Sequence, residues 1–329
     1  MKPIGIIANP ASGKDIRRLV AYGSVFDNAE KTNIVKRILI ALDALQVRDV
    51  FIMPDSFGIG LRAMEDIDVS VAARLIDMQL QRTADDSQQA AEIMAGLDVA
   101  CIITLGGDGT NRVVAKTCGD TALLPISTGT NNVFPFMIEG TLAGLAAGFL
   151  ATKDYPGRQT LRQMPRLEIY RNDVLLDIAL IDIVVTDDSY IGAKAVWEID
   201  SLKEVFLSRT SPSSIGFSSL GGILGGTPSE DSKGTHIHIG AGGKEVLAPI
   251  APGVVKRIPV ASCRQFNLRD AIPINCDADN MIALDGEREI NAYQGDKLTV
   301  RLNPEGPWVV DVAGVLSIAS INKHFITVE

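Results

Sequence analysis

The sequence predicts an α/β chain in two parts: a parallel α/β part over residues 1–150, then an all-β, sandwich-like part over 151–329. Three observations predict it. Apolar, strand-like runs alternate with helix-spaced segments through the first half. Three of those runs end in polar, glycine-bearing turns, as strand-to-helix connections of a parallel sheet do. After Pro156-Gly157 the helical spacing gives way to short alternating runs separated by Gly and Pro.

Element by element, residues 4–8 (IGIIA) read as a buried strand feeding the turn at 9–14 (NPASGK). Residues 34–42 have helical spacing, and 50–54 read as the next strand. A helix over 87–97 leads to the apolar strand at 99–104 and the turn LGGDGTNR at 105–112. Residues 113–116 then read as a helix closed by Gly119. A strand end at 123–126 runs into STGTNN at 127–132, and 142–150 form a helix of small residues. This rhythm predicts a Rossmann-like parallel sheet with helices on both faces. The boundary is expected near 151–163. Beyond it, 166–170 turn at Arg171-Asn172-Asp173 and return through 179–185 as an antiparallel hairpin. Short strands are expected at 235–240, 280–284, 297–302 and 308–312; a return of the C-terminal segment to the first part stays open. The Ser- and Gly-rich stretch 208–233 shows no period and reads as a long loop.

At 329 residues the chain is long enough for two cores, and 46% hydrophobic with 22% charged residues is ordinary globular composition. A net charge of −9 argues against nucleic acid or an anionic membrane surface as partner. Cys101, Cys118, Cys263 and Cys276 form no metal-ligand pairs and are expected as buried free thiols of a reducing cytosol. Met1-Lys2-Pro3 leads directly into a strand and no apolar run reaches the ~20 residues of a membrane span, so the expected location is cytoplasmic.

The chemistry concentrates at the glycine turn. Strand, Gly106-Gly107-Asp108-Gly109-Thr110-Asn111 and helix start together form an anion site, because bare backbone and free N–H groups can approach a phosphate. An acid there repels the anion, so Asp108 points either to metal holding and proton acceptance, or to a plain helix cap. The two companion turns offer Asn9, Ser12 and Gly13, and Ser127, Gly129, Thr130 and Asn131. A Walker P-loop is excluded: Lys14 is followed by Asp15, and Ala8 stands where the first glycine belongs. His236 and His238 share one strand face, yet spacing supplies no third ligand, which favours a structural role. Trp197 and Trp308 read as core or interface anchors.

These residues carry a family resemblance. The turns at 9–14, 106–110 and 129–132 resemble the N-terminal domain of the NAD kinase and diacylglycerol kinase superfamily. Residues 212–222 (PSSIGFSSLGG) resemble, in shortened form, the substrate loop of NAD kinases, and 247–252 (LAPIAP) with Arg257 resemble the stretch that follows. More narrowly, 106–115 and 125–135 resemble the ATP-NAD kinase-like acetoin catabolism protein X family. The resemblance implies a kinase of NAD kinase-like fold, dependent on ATP and Mg²⁺ and homo-oligomeric, that phosphorylates a hydroxyl of a small molecule. NAD is the first candidate acceptor. A lipid or small diol is an alternative, as is a nucleotide-binding regulator without turnover, linked to acetoin catabolism. It makes Asp108 the essential acid, with Asn111 among the nucleotide-binding residues. Acceptor contacts would come from Asn132, Asp182, Ser214, Gly216, Phe217 and Ser218. The Asp285-Gly286-Glu287 stretch resembles an Asp-Gly-Glu motif of bacterial diacylglycerol kinases, which makes Glu287 a second catalytic carboxylate and Asp285 a metal ligand beside Asp108. Without the resemblance, that stretch reads equally as a hairpin turn. Two departures bear on the acceptor. Ile181 and Asp182 stand where NAD kinases carry an Asn-Glu pair, and 127–132 is closer to the lipid-kinase turn.

Overall fold

The computed structural model describes residues 1–12, 22–24, 26–65, 67–152, 155, 157–187, 199–225 and 232–326; Gly13, Lys14 and Trp197 lie outside them. Strand β1 (Ile4–Ala8) is buried along its whole length and pairs in parallel on both sides. Its neighbours are β2 (Asp49–Ile52) and β4 (Cys101–Gly106), with β3 (Ala72–Leu75) beyond β2. β5 (Ala122–Ser127) continues the sheet from β4. The chain thus winds one way from β1 to β3 and the other way from β4 to β5. That reversal opens a crevice at the carboxyl ends of β1 and β4, the place where such sheets bind ligands.

Helices cover both faces. On one, α1 (Asn28–Ala44) is N-capped by the Asp27 carboxylate, which accepts from the Glu30 N–H. It buries Ile34, Val35, Ile38, Leu39 and Leu42 against Ile4, Ile6 and Ile103 of the sheet. α5 (Gly140–Leu150) packs beside it in the same cluster. The short α2 (Ile59–Glu65) packs beside β3 through Ile59 and Ala63. The other face carries α3 (Asp85–Gly96) and α4 (Asp108–Ala115). Ile178, Leu180 and Ile181 of the second part join that cluster. The second part therefore docks on the α3–α4 face, next to the glycine turn.

β6 (Leu161–Gln163) still belongs to the first sheet. The second part is a sandwich of two antiparallel sheets. One, of four strands, joins β7 (Arg166–Arg171), β8 (Val174–Ala179), β13 (Ile272–Ile274) and β16 (Leu298–Asn303). The other, of six strands, joins β9 (Asp182–Thr186), β10 (Leu202–Leu207), β11 (Lys233–Ala251), β12 (Val254–Asn267), β14 (Asn280–Leu284) and β15 (Glu287–Ala292). Leu167, Ile169 and Val300 of the smaller sheet interdigitate with Ile183, Val185, Phe206 and Ile282 of the larger.

Five expectations change. The hairpin return over 179–185 is two strands: β8 ends at Ala179, and after Leu180-Ile181 the chain enters the other sheet as β9. The Asp285 carboxylate accepts the N–H groups of Leu180, Ile181 and Asp182, replacing ladder bonds at that crossing. The 208–233 loop contains a helix, α6 (Phe217–Gly225). The glycine turn is shorter than read: α4 begins at Asp108 itself, with Gly107 as its extended N-cap. The strand at 308–312 leaves the sandwich. As β17 (Trp308–Val310) it inserts between β5 and β6 of the first sheet, parallel to β5. α7 (Val312–Ile321), capped by Asp311, follows and packs Val315 and Ala319 into the first core. Cys263, expected as a buried thiol, is exposed on β12. No helix among the described residues is long and apolar enough to cross a membrane.

Candidate active site

The three polar turns meet. Asn9, just past β1, donates through Nδ2 to Thr110 Oγ1 at 2.9 Å, tying the first turn to the second. Ser12 Oγ and Thr128 Oγ1 share a hydrogen bond of 3.1 Å, tying the first to the third. The third turn is held internally: Ser127 Oγ donates to the Gly129 carbonyl, and Asn132 Nδ2 donates to Ser127 Oγ at 2.8 Å. Thr130 is exposed and accepts from the Ser24 N–H, while Asn131 is half-buried beside it. Beneath the first turn lies a buried cation that sequence reading missed. Lys31 Nζ donates to the carbonyls of Asn9 at 2.8 Å and Ser12 at 2.7 Å. A lysine on the apolar stripe of α1, four residues before Val35, is the signal that marks it.

Asp108 starts α4 but reaches away from its own helix. Its Oδ1 accepts from the N–H groups of Val133 at 3.0 Å and Phe134 at 2.7 Å, so it also anchors the segment after the third turn. The carboxyl is buried, and its pKa is pushed up to about 7 by that burial and by the negative charge of Asp285. The two N–H groups and the Arg209 guanidinium hold it back only in part. An acid of this pKa can take up and release a proton near neutrality. Asn111, expected among the nucleotide contacts, is instead a brace. Fully buried, it accepts from Thr104 Oγ1 at 2.6 Å and donates to the Gly107 carbonyl.

The second part delivers Glu287 to the same helix start. A Cβ on Gly109 would strike the Glu287 carboxylate, so the close approach requires glycine there. Arg112, one turn after Asp108 and fully buried, fixes this junction. Its NH2 lies 3.1 Å from Glu287 Oε2, its NH1 3.2 Å from Asp177 Oδ2, and its Nε 3.9 Å from Asp285 Oδ2. Lys116 adds a second cation to Asp177 at 2.7 Å. Arg112 was legible only as the residue four places after Asp108, on one helix face with it. Asp285, expected as a metal ligand, is corrected: its two oxygens accept three backbone N–H groups and face Arg112, which makes it the anchor of the β8–β9 crossing. Burial raises its pKa above the ordinary carboxylate value against those bonds.

The acceptor residues divide. Ile181 is buried in the core between the two parts and offers no side-chain hydrogen bond. Asp182 opens β9, its carbonyl accepting from the Asp285 N–H at 3.0 Å. Asn132 is turned onto its own loop. The 214–218 segment is packed rather than presented: Phe217 lies in the core under α6, and Ser218 Oγ donates to the Arg209 carbonyl. Ser214 Oγ is turned to the Ser211 carbonyl, and Gly216 donates its N–H to Pro249. What the stretch between β10 and that segment contributes to the site is Arg209, also missed in the sequence, whose guanidinium lies 5.3 Å from the centre of the Phe134 ring and acts on Asp108.

A doubly wound sheet with glycine turns at its switch point, closed by a β-sandwich that brings a carboxylate to the helix start, defines an NAD kinase-like protein. Residues 4–154 match the family model of the ATP-NAD kinase N-terminal domain, and residues 165–305 that of the acetoin catabolism protein X C-terminal domain. The chain is 37% identical to acetoin catabolism protein X of Cupriavidus necator, over 95% of this chain and 91% of that one. It belongs to the acetoin catabolism protein X family. Among solved structures, a diacylglycerol kinase-like protein from Bacillus anthracis shares the fold at TM-score 0.50 and 12% identity, over 94% of this chain and 97% of that one. Yeast NADH kinase in complex with NADH aligns over 100% of this chain and 90% of that one, at TM-score 0.46 and 14% identity.

Proposed function

We propose that the chain transfers the γ-phosphate of ATP to a hydroxyl of a small molecule, with NAD the first acceptor to test. One observation carries this reading: a buried carboxyl with a pKa of about 7, Asp108, stands where three polar turns meet at the switch point of the sheet. In phosphoryl transfer, positioning and charge neutralisation supply most of the rate. Asn9, Ser12, Gly106, Gly107, Gly109, Thr110 and the 127–131 turn are the residues to hold the triphosphate. Asp108 is the group to accept the proton of the attacking hydroxyl. Mg²⁺ would neutralise charge on the phosphates; of the two acids proposed for it, Asp108 is the better fit, because its Oδ2 only shares the Val133 N–H with Oδ1, whereas each oxygen of Asp285 accepts N–H groups of its own. Glu287, with half of its side chain exposed beside Gly109, is an auxiliary acid or base.

The test is the purified protein with ATP, Mg²⁺ and NAD. NADP formation that disappears in Asp108→Ala supports the reading, and no NADP under saturating conditions removes NAD as acceptor. A second reading, a small diol or lipid headgroup as acceptor, is favoured by Ile181: a buried aliphatic side chain replaces a hydrogen-bonding partner of the nicotinamide nucleoside. The relative's association with acetoin catabolism makes small hydroxylated compounds the first members of a labelled-phosphate acceptor screen. Nucleotide binding without turnover on any acceptor would instead mark a regulator.

A further inference from the structure

A second cluster of ligating side chains lies in the sandwich, away from the glycine turns. Glu204 is on β10, three residues before Leu207, the residue that pairs with Asp182; that is about 10 Å along the strand. In the antiparallel register Glu204 stands opposite His238 of β11, and His236 stands opposite Phe206. Alternate strand residues share a face, so the carboxylate and both imidazoles project to the same side. Their ligating atoms all lie within 4.8 Å of one another.

The cluster is built rather than incidental. His236 is 1% exposed, stacked on Phe206 with ring centres 4.1 Å apart, and its Nε2 is 2.7 Å from Glu204 Oε2. The other carboxylate oxygen of Glu204 accepts the Asn275 N–H at 3.2 Å. The His238 ring centre is 4.3 Å from that of His236, and His238 is half-buried, so the open side of the cluster is its side. Burial works against the Glu204 charge, but the His236 and Asn275 hydrogen bonds hold its pKa below the ordinary value. Burial holds the pKa of the His238 ring below its ordinary value.

We propose that Glu204, His236 and His238 bind a divalent transition metal of the Zn²⁺ class, with water in the remaining position. Two imidazoles and a carboxylate are a donor set of Zn²⁺ sites, and the spacing of a little over 3 Å that a tetrahedral ion needs lies between the 2.7 Å of the His236–Glu204 pair and the 4.8 Å that bounds the whole set. Without metal, Arg264 donates to His236 Nδ1 at 3.3 Å, so Nδ1 is the acceptor and the N–H at Nε2 donates a hydrogen bond to Glu204 Oε2. Metal on Nε2 shifts that proton to Nδ1, with none lost, and the exposed Arg264 swings out to water.

The test is Zn²⁺ titration of the full chain against a chromophoric chelator, with Co²⁺ absorption as a geometric readout. The chain has three histidines, so imaging imidazole nitrogens by NMR should move His236 and His238 and leave His324 as control. The expected result is one saturable Zn²⁺ per chain, weakened roughly tenfold or more by His238→Ala and by Glu204→Gln. Arg264→Met should tighten it, because a competing donor and a positive charge leave. Cys263→Ser, which removes the exposed thiol, should change nothing. Absence of a saturable equivalent, undiminished binding in folded His238→Ala, or loss of binding in Cys263→Ser would each overturn the proposal.

Discussion

Arg112 and Glu287 lie 175 residues apart in sequence, and NH2 of the first is 3.1 Å from Oε2 of the second. This contact joins the N-terminal helix start to the sandwich, and it is made by a guanidinium with no solvent exposure. Arg112 faces three carboxylates, so removing it leaves buried Asp285 without its cation and nearly buried Asp177 with Lys116 alone. Arg112→Met should cost about 3 kcal/mol or more in urea unfolding, the usual price of an orphaned buried charge. Arg112→Lys should recover only part, because one ammonium cannot span three acids. A variant as stable as the parent would show that the junction is held by packing alone.

Asp108 sets a pH dependence. Its folded pKa of about 7 lies above the ordinary 3.8, so the native state binds the proton more tightly than the unfolded chain. The stability this provides is full below pH 3.8 and is lost as pH rises through 7. Asp108→Asn keeps an oxygen for the Val133 and Phe134 N–H groups and carries no charge. Its melting temperature relative to the parent should therefore rise between pH 5 and pH 8, while phosphoryl transfer is abolished. A difference independent of pH would place the carboxyl in the ordinary range.

Gly109→Ala separates Glu287 from the fold. The new Cβ meets the far end of a half-exposed side chain, which can move aside at small cost. Stability should change by under about 1 kcal/mol, an ordinary helix-surface effect. If Glu287 acts in transfer, kcat should fall at least tenfold, and Glu287→Gln, which leaves the glycine turn itself untouched, should show the same fall with the nucleotide Kd nearly unchanged.

Lys31→Met tests the floor of the first turn. It leaves the Asn9 and Ser12 carbonyls without their buried donor, at a cost of about 1–3 kcal/mol. ATP affinity, measured calorimetrically, should drop because the turn relaxes; equal affinity at equal fold would assign Lys31 to stability only.

Much of this was legible in the chain. The three turns could be placed together because each ends an apolar strand-like run, and parallel strands put their carboxyl ends on one edge. What could not be read was long-range. Glu204 lies 32 residues from His236, and only the β10–β11 register makes it the third member of that cluster. Helix α6 escaped because Gly221 and Gly222 lower helix propensity, yet they are what the packing needs: a Cβ on Gly222 would collide with the backbone of Ser211 and Pro212. The break at Leu180-Ile181 escaped because the run 179–185 is continuously apolar apart from Asp182, and the residue that interrupts it, Asp285, is a hundred positions away.

The insertion of β17 between β5 and β6 makes the order of synthesis matter. More than half of the chain lies between Ser127 and Trp308, so a ribosome releases β1 to β5 long before the strand that completes their sheet exists. Until then the apolar edge of β5 around Leu123 lacks its partner, with only the Phe136 backbone bridging the far end of the strand, and is exposed to other nascent chains. The sandwich must form while its platform is unfinished, and β17 with α7 acts as the latch that closes both. A copy truncated before Trp308 should therefore aggregate rather than accumulate as a folded nucleotide-binding half.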